Sequence, residues 1–105
     1  MTDNELIQIL REKFPDDVTL AIFLGTQLEE AKRYEEALGV LLDATRKEPK
    51  NASAYARRGK GYSGLKDYEK ALADYNKAVS LDPKLAEAYV GRAVVYLVKK
   101  DYDAC

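Results

Sequence analysis

The feature of this sequence that most constrains its fold is a repeat with a period of 34 residues. Residues 52–85 overlay residues 18–51 when shifted back by 34 positions, and residues 86–105 overlay the start of the same unit. The prolines of the chain share this spacing: Pro15, Pro49 and Pro83. A period of this length is typical of helical repeat arrays, in which each unit buries its apolar face against its neighbours.

Aromatic and small residues recur at fixed positions within each unit. The middle unit carries Tyr55, Arg58-Gly59, Tyr62, Ala71, Tyr75 and Pro83. The unit before it carries Ala21, Leu24-Gly25, Leu28, Ala37, Leu41 and Pro49, and the last carries Tyr89, Arg92-Ala93, Tyr96 and Cys105. This pattern resembles the tetratricopeptide repeat family. The resemblance implies an all-α solenoid of antiparallel helix pairs, coiled as a right-handed superhelix.

The repeat register predicts that residues 1–105 form a single array. In order, its segments are a lone second-type helix (1–17), two complete units (18–51 and 52–85) and an incomplete unit (86–105). Here the first-type and second-type helices are the two helices of one unit. We therefore predict six helices that alternate between the two types, beginning with a second-type helix. The last of them is predicted to end near Lys99.

Helix starts and close helix contacts can also be predicted. Residues 2–5, Thr-Asp-Asn-Glu, form a capping box, and Asp67 is placed to cap the helix that follows it. Gly25, Gly59 and Ala93 share one site on the first-type helices. Glycine within a helix costs about 1 kcal/mol relative to alanine, so its recurrence indicates a close approach of two helices that offsets this cost.

Composition argues against several classes of function. With 17 basic and 18 acidic residues the formal net charge is −1, which favours neither nucleic acid nor an anionic membrane as a partner. The sequence contains no run of apolar residues long enough to span a bilayer, and its start lacks the basic region of a signal peptide. The lone cysteine cannot form an internal disulfide. We predict a soluble, cytoplasmic protein.

No group of residues predicts catalysis. The chain has no histidine, which is the commonest general base and metal ligand, and Cys105 has no base beside it. Gly59, Gly61 and Gly64 lie in a predicted helix and follow no strand, unlike the glycines of a phosphate-binding loop. The carboxylates are predicted at helix caps and on exposed helix faces. The prediction is therefore no enzymatic activity, no cofactor and no metal site.

The tyrosines and a basic cluster have structural as well as functional interpretations. The eight tyrosines could stack on nucleic-acid bases, but they recur at shared positions of the repeat, which favours a packing role. Arg58 lies on the core-facing stripe, so its stem is predicted to cover apolar surface while its head stays in water. Arg57 and Lys60 lie on the neighbouring stripe, where they either meet a ligand or form a solvated face.

The resemblance implies that the first-type helices line a concave groove in which peptide segments dock. We call the residues predicted to face it the candidate groove: Thr19, Ile22, Thr26, Glu29, Ser53, Ala56, Arg57, Lys60, Ser63, Glu87, Val90, Val94 and Leu97. This groove is expected to be basic at its centre and apolar toward the C-terminus. Its ligand would then combine an acidic group with an apolar patch.

One subgroup of the family binds the acidic C-terminal tails of heat-shock chaperones. It uses Lys and Asn on one first-type helix, Asn on the next, and Lys and Arg on the third. The residues of this sequence at those positions are Ile22, Thr26, Arg57, Glu87 and Gly91. None of them matches, so no binding of such tails is expected.

Two functional classes remain for the chain. The favoured one is a non-catalytic scaffold or adaptor that binds a protein or peptide of unknown identity. The alternative is a self-assembling array, a homo-oligomer formed through the terminal helices. It is favoured by the apolar last helix, which could pack on Leu6, Ile7 and Leu10 of another copy or on the same helix of that copy. A third class, a regulatory segment of a longer enzyme, stays open.

Overall fold

The described part of this computed structural model comprises residues 3–14 and 17–103, without the side chains at positions 3, 4, 7, 11 and 101–103. These residues form six α-helices and no strand: α1 (Asp3–Lys13), α2 (Val18–Glu30), α3 (Tyr34–Lys47), α4 (Ala52–Gly64), α5 (Tyr68–Leu81) and α6 (Ala86–Asp103). The predicted fold class, an all-α solenoid of helix pairs, is confirmed.

The helices pack in two layers. Helix α2 pairs with α3 and α4 pairs with α5, while α3 and α5 each also contact the first helix of the pair that follows. The first-type helices α2, α4 and α6 contact one another in sequence, and so they form one continuous layer. Helix α1 joins the array through Leu10, which packs against the core between α2 and α3.

The turn within each helix pair is closed by the same hydrogen-bonded motif. The N–H of Arg33 donates to the carbonyl of Leu28 at 2.8 Å, and the equivalent bond 34 residues later closes α4 at 2.9 Å. This Schellman motif places the preceding residue in the left-handed region, and the φ angles are 61° at Lys32 and 65° at Lys66. The sequence did not reveal the motif, because glycine rather than lysine usually holds this position.

The predicted cap at Asp67 is confirmed. Its carboxylate accepts a hydrogen bond from the backbone N–H of Lys70 at 3.4 Å, and Asp17 and Asn51 cap α2 and α4 in the same way. The predicted capping box begins at Thr2, which lies outside the described residues.

The predicted end of the last helix near Lys99 is wrong, since α6 continues to Asp103. Lys100 occupies the repeat position of Lys32 and Lys66, but it stays helical. The left-handed turns at those two lysines are held by a second-type helix that packs back on the first. Among the described residues, no second-type helix follows Lys100.

The predicted close contacts at glycine are confirmed. A β-carbon at Gly25 would lie 2.8 Å from Cγ of Leu41, and one at Gly59 would lie 3.2 Å from both the carbonyl oxygen of Ala71 and the ring of Tyr75. Ala71 itself is fully buried. Small residues therefore set the distance between the two helices of each pair.

The environment predicted for Arg58 is wrong. Its guanidinium donates to the carboxylate of Asp74 through Nε at 2.8 Å and Nη2 at 2.7 Å, and to the hydroxyl of Thr45 at 3.1 Å. Only 18% of the Arg58 side chain and 6% of the Asp74 side chain are exposed. The hydrogen bond to Asp74 raises the pKa of the guanidinium. The head is thus held in a buried ion pair, because Asp74 is a buried carboxylate rather than an exposed one.

The packing role predicted for the tyrosines holds in part. Tyr75 is buried, and Tyr55 and Tyr62 pack against the core. Their repeat equivalents on α6, Tyr89 and Tyr96, are 40% and 53% exposed. Helix α5 covers the first two tyrosines, whereas no described helix covers that face of α6.

Replacing Lys66 with glycine is expected to raise the free energy of unfolding by about 0.5–1 kcal/mol, since glycine removes the steric cost of the left-handed conformation. Urea unfolding monitored by circular dichroism would measure it. The matched control is Lys60→Gly, in an exposed position within α4, which should lower stability by about 1 kcal/mol. A loss of stability in both variants would contradict the turn geometry.

Replacing Ala71 with leucine should overpack the contact between α4 and α5 and cost on the order of 1–3 kcal/mol. Ala73→Leu, on the exposed face of the same helix, should change stability by no more than about 0.5 kcal/mol. Thermal melting of the two variants compares them directly. Equal melting temperatures would mean that α4 and α5 do not meet at Ala71.

Candidate functional site

The residues of the candidate groove all lie on the layer formed by α2, α4 and α6. Their exposure divides them into three sets. The exposed residues are Thr19, Lys60, Val90, Val94 and Leu97. The half-buried residues are Ile22, Thr26, Ser53, Arg57, Ser63 and Glu87, and the buried residues are Glu29 and Ala56. The hydroxyl of Thr26 donates to the Ile22 carbonyl at 2.9 Å and is therefore engaged within α2.

Helix α6 presents a strip of exposed apolar side chains. Val90, Val94 and Leu97 are 62%, 49% and 65% exposed, and their spacing of four and three residues places them on one face of the helix. Val95, on the opposite face, is buried in the core. A contiguous strip of this kind, unlike single exposed apolar residues, is typical of an interaction surface.

The sequence predicted a basic centre for the candidate groove, but acidic residues lie there as well. Arg57 of α4 forms an ion pair with Glu87 of α6, with 3.2 Å between Nη2 and Oε2. Lys60 lies one turn further along α4 and is exposed. Glu29 of α2 lies close enough to Arg57 and Lys60 for both to act on its charge. Two acidic and two basic residues thus meet at the centre, and their formal charges balance.

Glu29 departs most from what the sequence predicted for a carboxylate. The residue is 4% exposed, and neither carboxylate oxygen has a hydrogen-bond partner among the described residues. Burial raises the pKa of Glu29 from 4.5 to about 7, although Lys60 and Arg57 oppose the shift. Glu87 adds to it by charge repulsion. This carboxyl group therefore exchanges its proton near neutral pH, and the expectation that all carboxylates are exposed is wrong.

Tyr75 approaches the same centre from α5. A β-carbon at Gly91 of α6 would lie 2.3 Å from Cζ of this ring and 2.7 Å from its hydroxyl oxygen. Burial, together with the smaller effects of the charges of Glu29 and Glu87, raises the pKa of Tyr75 to about 12. The phenol is thus neutral and fixed against α6. Sequence reasoning missed this contact, although Gly91 itself was the signal, since its repeat equivalents Phe23 and Arg57 have large side chains.

Apart from the strip on α6, an apolar concavity of about 440 Å³ lies between α1 and α2. Its lining includes Leu6, Leu10, Phe23 and Leu28. Leu6 and Phe23 are 49% and 53% exposed. The sequence had predicted Leu6 and Leu10 as an exposed apolar surface, whereas Phe23 was missed. The side chain of Ile7, predicted with them, lies outside the described residues.

The described residues contain neither a cluster of metal-binding side chains nor a helix suited to crossing a membrane. No three histidine, cysteine, aspartate or glutamate side chains among them are grouped as metal ligands would be. Nor does any helix in the described ranges combine the length and the apolar character needed to cross a membrane.

Glu29→Gln is expected to stabilise the protein increasingly as the pH rises. The folded protein holds the Glu29 proton up to about pH 7 and the unfolded chain releases it near 4.5, so wild-type stability is lost as the pH rises between these values. The advantage of the variant should grow by about 1–3 kcal/mol from pH 5 to pH 8. Chemical unfolding across this range measures it.

The control for this experiment is Glu30→Gln, which changes the exposed neighbour of Glu29 on the same helix. Its effect on stability should stay within about 0.5 kcal/mol at every pH. An advantage of Glu29→Gln that does not vary with pH would show that Glu29 ionises as an ordinary carboxylate.

Two family models match this chain, and both have the same description. A family model described as Tetratricopeptide repeat matches residues 52–85, and a second model with the same description matches residues 4–52. Among the curated proteins, no sequence matches the chain.

Several solved structures are similar to this one. A structure described as the TPR2AB-domain:pHSP90-complex of yeast Sti1 superposes with a TM-score of 0.77 at 24% identity, over 97% of this chain and 40% of that one. The Arabidopsis OM64 TPR domain gives 0.75 at 25% identity, over 81% and 70%. A MamA RS-1 double mutant gives 0.79 at 27% identity, over 92% and 55%. The chain thus spans less than two thirds of the Sti1 TPR2AB and MamA chains.

Proposed function

Because the chain belongs to the tetratricopeptide repeat family, we propose that it is a non-catalytic protein-interaction module. Similar solved domains of yeast Sti1 are described as complexes with pHSP90 and pHsp70, which supports a protein or peptide as the partner. In our proposal a peptide segment or helix of the partner lies in the candidate groove, and the protein acts as a scaffold or adaptor. The segments 1–17, 18–51, 52–85 and 86–105 form the single array that presents this groove.

The observation that carries the proposal is the exposed apolar strip of α6 beside the charged centre of α4. Val90, Val94 and Leu97 offer apolar surface, whose burial is the dominant favourable term in most protein association. Lys60 and Arg57, on the adjacent helix, offer charges that orient a ligand and select its sequence. A partner segment that fits would place apolar side chains on α6 and a polar or charged group over α4.

We propose that the acidic tails of heat-shock chaperones are not the ligand, because the residues of this groove differ from those of the subgroup that binds them. Glu87 stands where that subgroup has a lysine, and its pairing with Arg57 leaves less positive charge than a two-carboxylate clamp needs. Tyr75 fills the space beside Gly91, where that subgroup needs an arginine. Ile22 and Thr26 supply no positive charge.

Leu97→Glu is expected to weaken the binding of a partner captured with the wild type at least tenfold, because it places a charge in the apolar strip. The matched control is Leu42→Glu, another exposed leucine, on α3 and outside the candidate groove, which should leave the affinity within about twofold. Calorimetry with the purified pair measures both. Equal affinities for the two variants would place the partner elsewhere.

The alternative function is self-assembly, and the exposed tyrosine face of α6 favours it. Tyr89 and Tyr96 are 40% and 53% exposed, whereas their equivalents Tyr55 and Tyr62 pack against the core beside α5. Helix α1 of a second copy, with its exposed Leu6, is a second-type helix that fits this face. Such a contact is heterologous and would build rings or filaments. Sedimentation should then show growing species that Tyr89→Ser with Tyr96→Ser abolishes, whereas a monomer at hundreds of micromolar would contradict it.

A further inference from the structure

Glu29 has an environment that peptide docking alone does not explain. Its carboxylate is buried between α2 and α4, where Oε2 lies 3.9 Å from the position of a β-carbon on Gly61. Neither oxygen accepts a hydrogen bond from the described residues. Burying a carboxylate without a donor costs free energy, and native structures rarely leave such a group without a partner. Its presence beside the candidate groove therefore points to a role in binding.

The groups that face Glu29 come from every helix packed around it. From α4 these are Arg57 and Lys60, from α6 Glu87, and from α5 the neutral phenol of Tyr75. On the α3 side, the neighbour at Gly61 is the apolar side chain of Leu38. The ionised carboxylates of Glu29 and Glu87 together balance the two cations. The unliganded centre therefore has little net charge to attract an ion.

Adding an acidic ligand disturbs this balance. A carboxylate of the partner placed at Lys60 would be a third anion beside two cations, and it would compete with Glu29 for the same lysine. Protonation of Glu29 removes one anion and leaves Lys60 for the ligand. Ligand binding and proton uptake must then favour each other, because each relieves the repulsion that opposes the other.

We propose that the centre of the candidate groove is a proton-linked subsite for an acidic side chain of the partner, held by Lys60 and Arg57 while Glu29 carries a proton. This inference rests on the proposed docking of a peptide in the groove and adds the chemistry of one of its residues. A cationic side chain is disfavoured at the same place, because Arg57 and Lys60, whose charges already act on Glu29, would repel it.

The ionisation of Glu29 makes this linkage effective under physiological conditions. Burial raises its pKa to about 7, so near neutral pH the protonated and ionised forms of Glu29 are both populated. Acidic side chains of a peptide titrate near pH 4 and remain charged between pH 6 and 8. Affinity should therefore fall several-fold from pH 6 to pH 8, and by no more than about tenfold per pH unit.

Two blocked peptides test the proposal. Both have five residues, with leucine at the first, third and fifth positions, and they are acetylated and amidated so that only side chains carry charge. One peptide has glutamate at the second and fourth positions and the other has glutamine. Fluorescence anisotropy of labelled peptide gives each affinity at pH 6, 7 and 8. The glutamate peptide should bind several-fold more tightly at pH 6 than at pH 8, and the glutamine peptide equally at both.

Two variants distinguish the effect of Glu29 from that of a neighbouring carboxylate. Glu29→Gln should bind the glutamate peptide at pH 8 as tightly as the wild type does at pH 6, with no pH dependence left. Glu30→Gln, on the exposed side of α2, should keep the wild-type pH dependence. In the wild type, carbon-13 NMR of the Glu29 carboxyl group should show its titration midpoint move to higher pH when the glutamate peptide is added.

Several results would overturn the proposal. One is pH-independent binding of the glutamate peptide by the wild type, and another is a pH dependence that survives in Glu29→Gln. If both peptides bind equally and Leu97→Glu weakens both, the groove stands as the docking site while the acidic subsite is wrong. If neither peptide binds at millimolar concentration, the acidic subsite is wrong and the proposed docking in the groove fails with it.

Discussion

The close approach of helix backbones at glycine and alanine fixes where the other side chains of this array lie. At Gly59 the first-type helix comes within contact distance of the ring of Tyr75, and at Gly91 the next first-type helix approaches the same ring. One buried ring therefore sets the spacing between α4 and α6. That spacing in turn allows Arg57 and Glu87 to meet at 3.2 Å across the layer. The charges at the candidate groove thus depend on packing several residues away from them.

Two equivalent repeat positions hold a hydrophobic pair in the first unit and an ion pair in the second. Leu24 and Val40 are buried together in the core of the first pair. Their equivalents 34 residues later are Arg58 and Asp74, which form a buried ion pair. A hydrophobic pair and a well hydrogen-bonded ion pair can give similar stability at such a site. Loss of one member of the ion pair, however, leaves an uncompensated buried charge and is strongly destabilising. Arg58 also donates one hydrogen bond to Thr45 of the preceding unit, which its apolar equivalent Leu24 cannot do.

The sequence predicted the parts of this structure that depend on periodicity. The six helices, their pairing and the tight contacts at Gly25 and Gly59 all follow from a single spacing. The parts that it did not predict depend on contacts between different repeat positions. A register tells which face of a helix a residue occupies, but not that Arg58 will find Asp74 or that Glu29 will be covered. Likewise, two lysines adopt a left-handed turn that local preference alone would give to glycine.

The Tyr75 ring has a consequence for the symmetry of the groove. Phe23, Arg57 and Gly91 occupy one repeat position on three adjacent helices. In an ideal repeat such a row would be uniform, and an extended chain could lie across it in either orientation. Here the row changes from aromatic to cationic to bare backbone, because the ring already occupies the space that a side chain at position 91 would need. The two ends of the row therefore differ, and a polypeptide chain in the proposed groove would meet different surroundings in its two orientations.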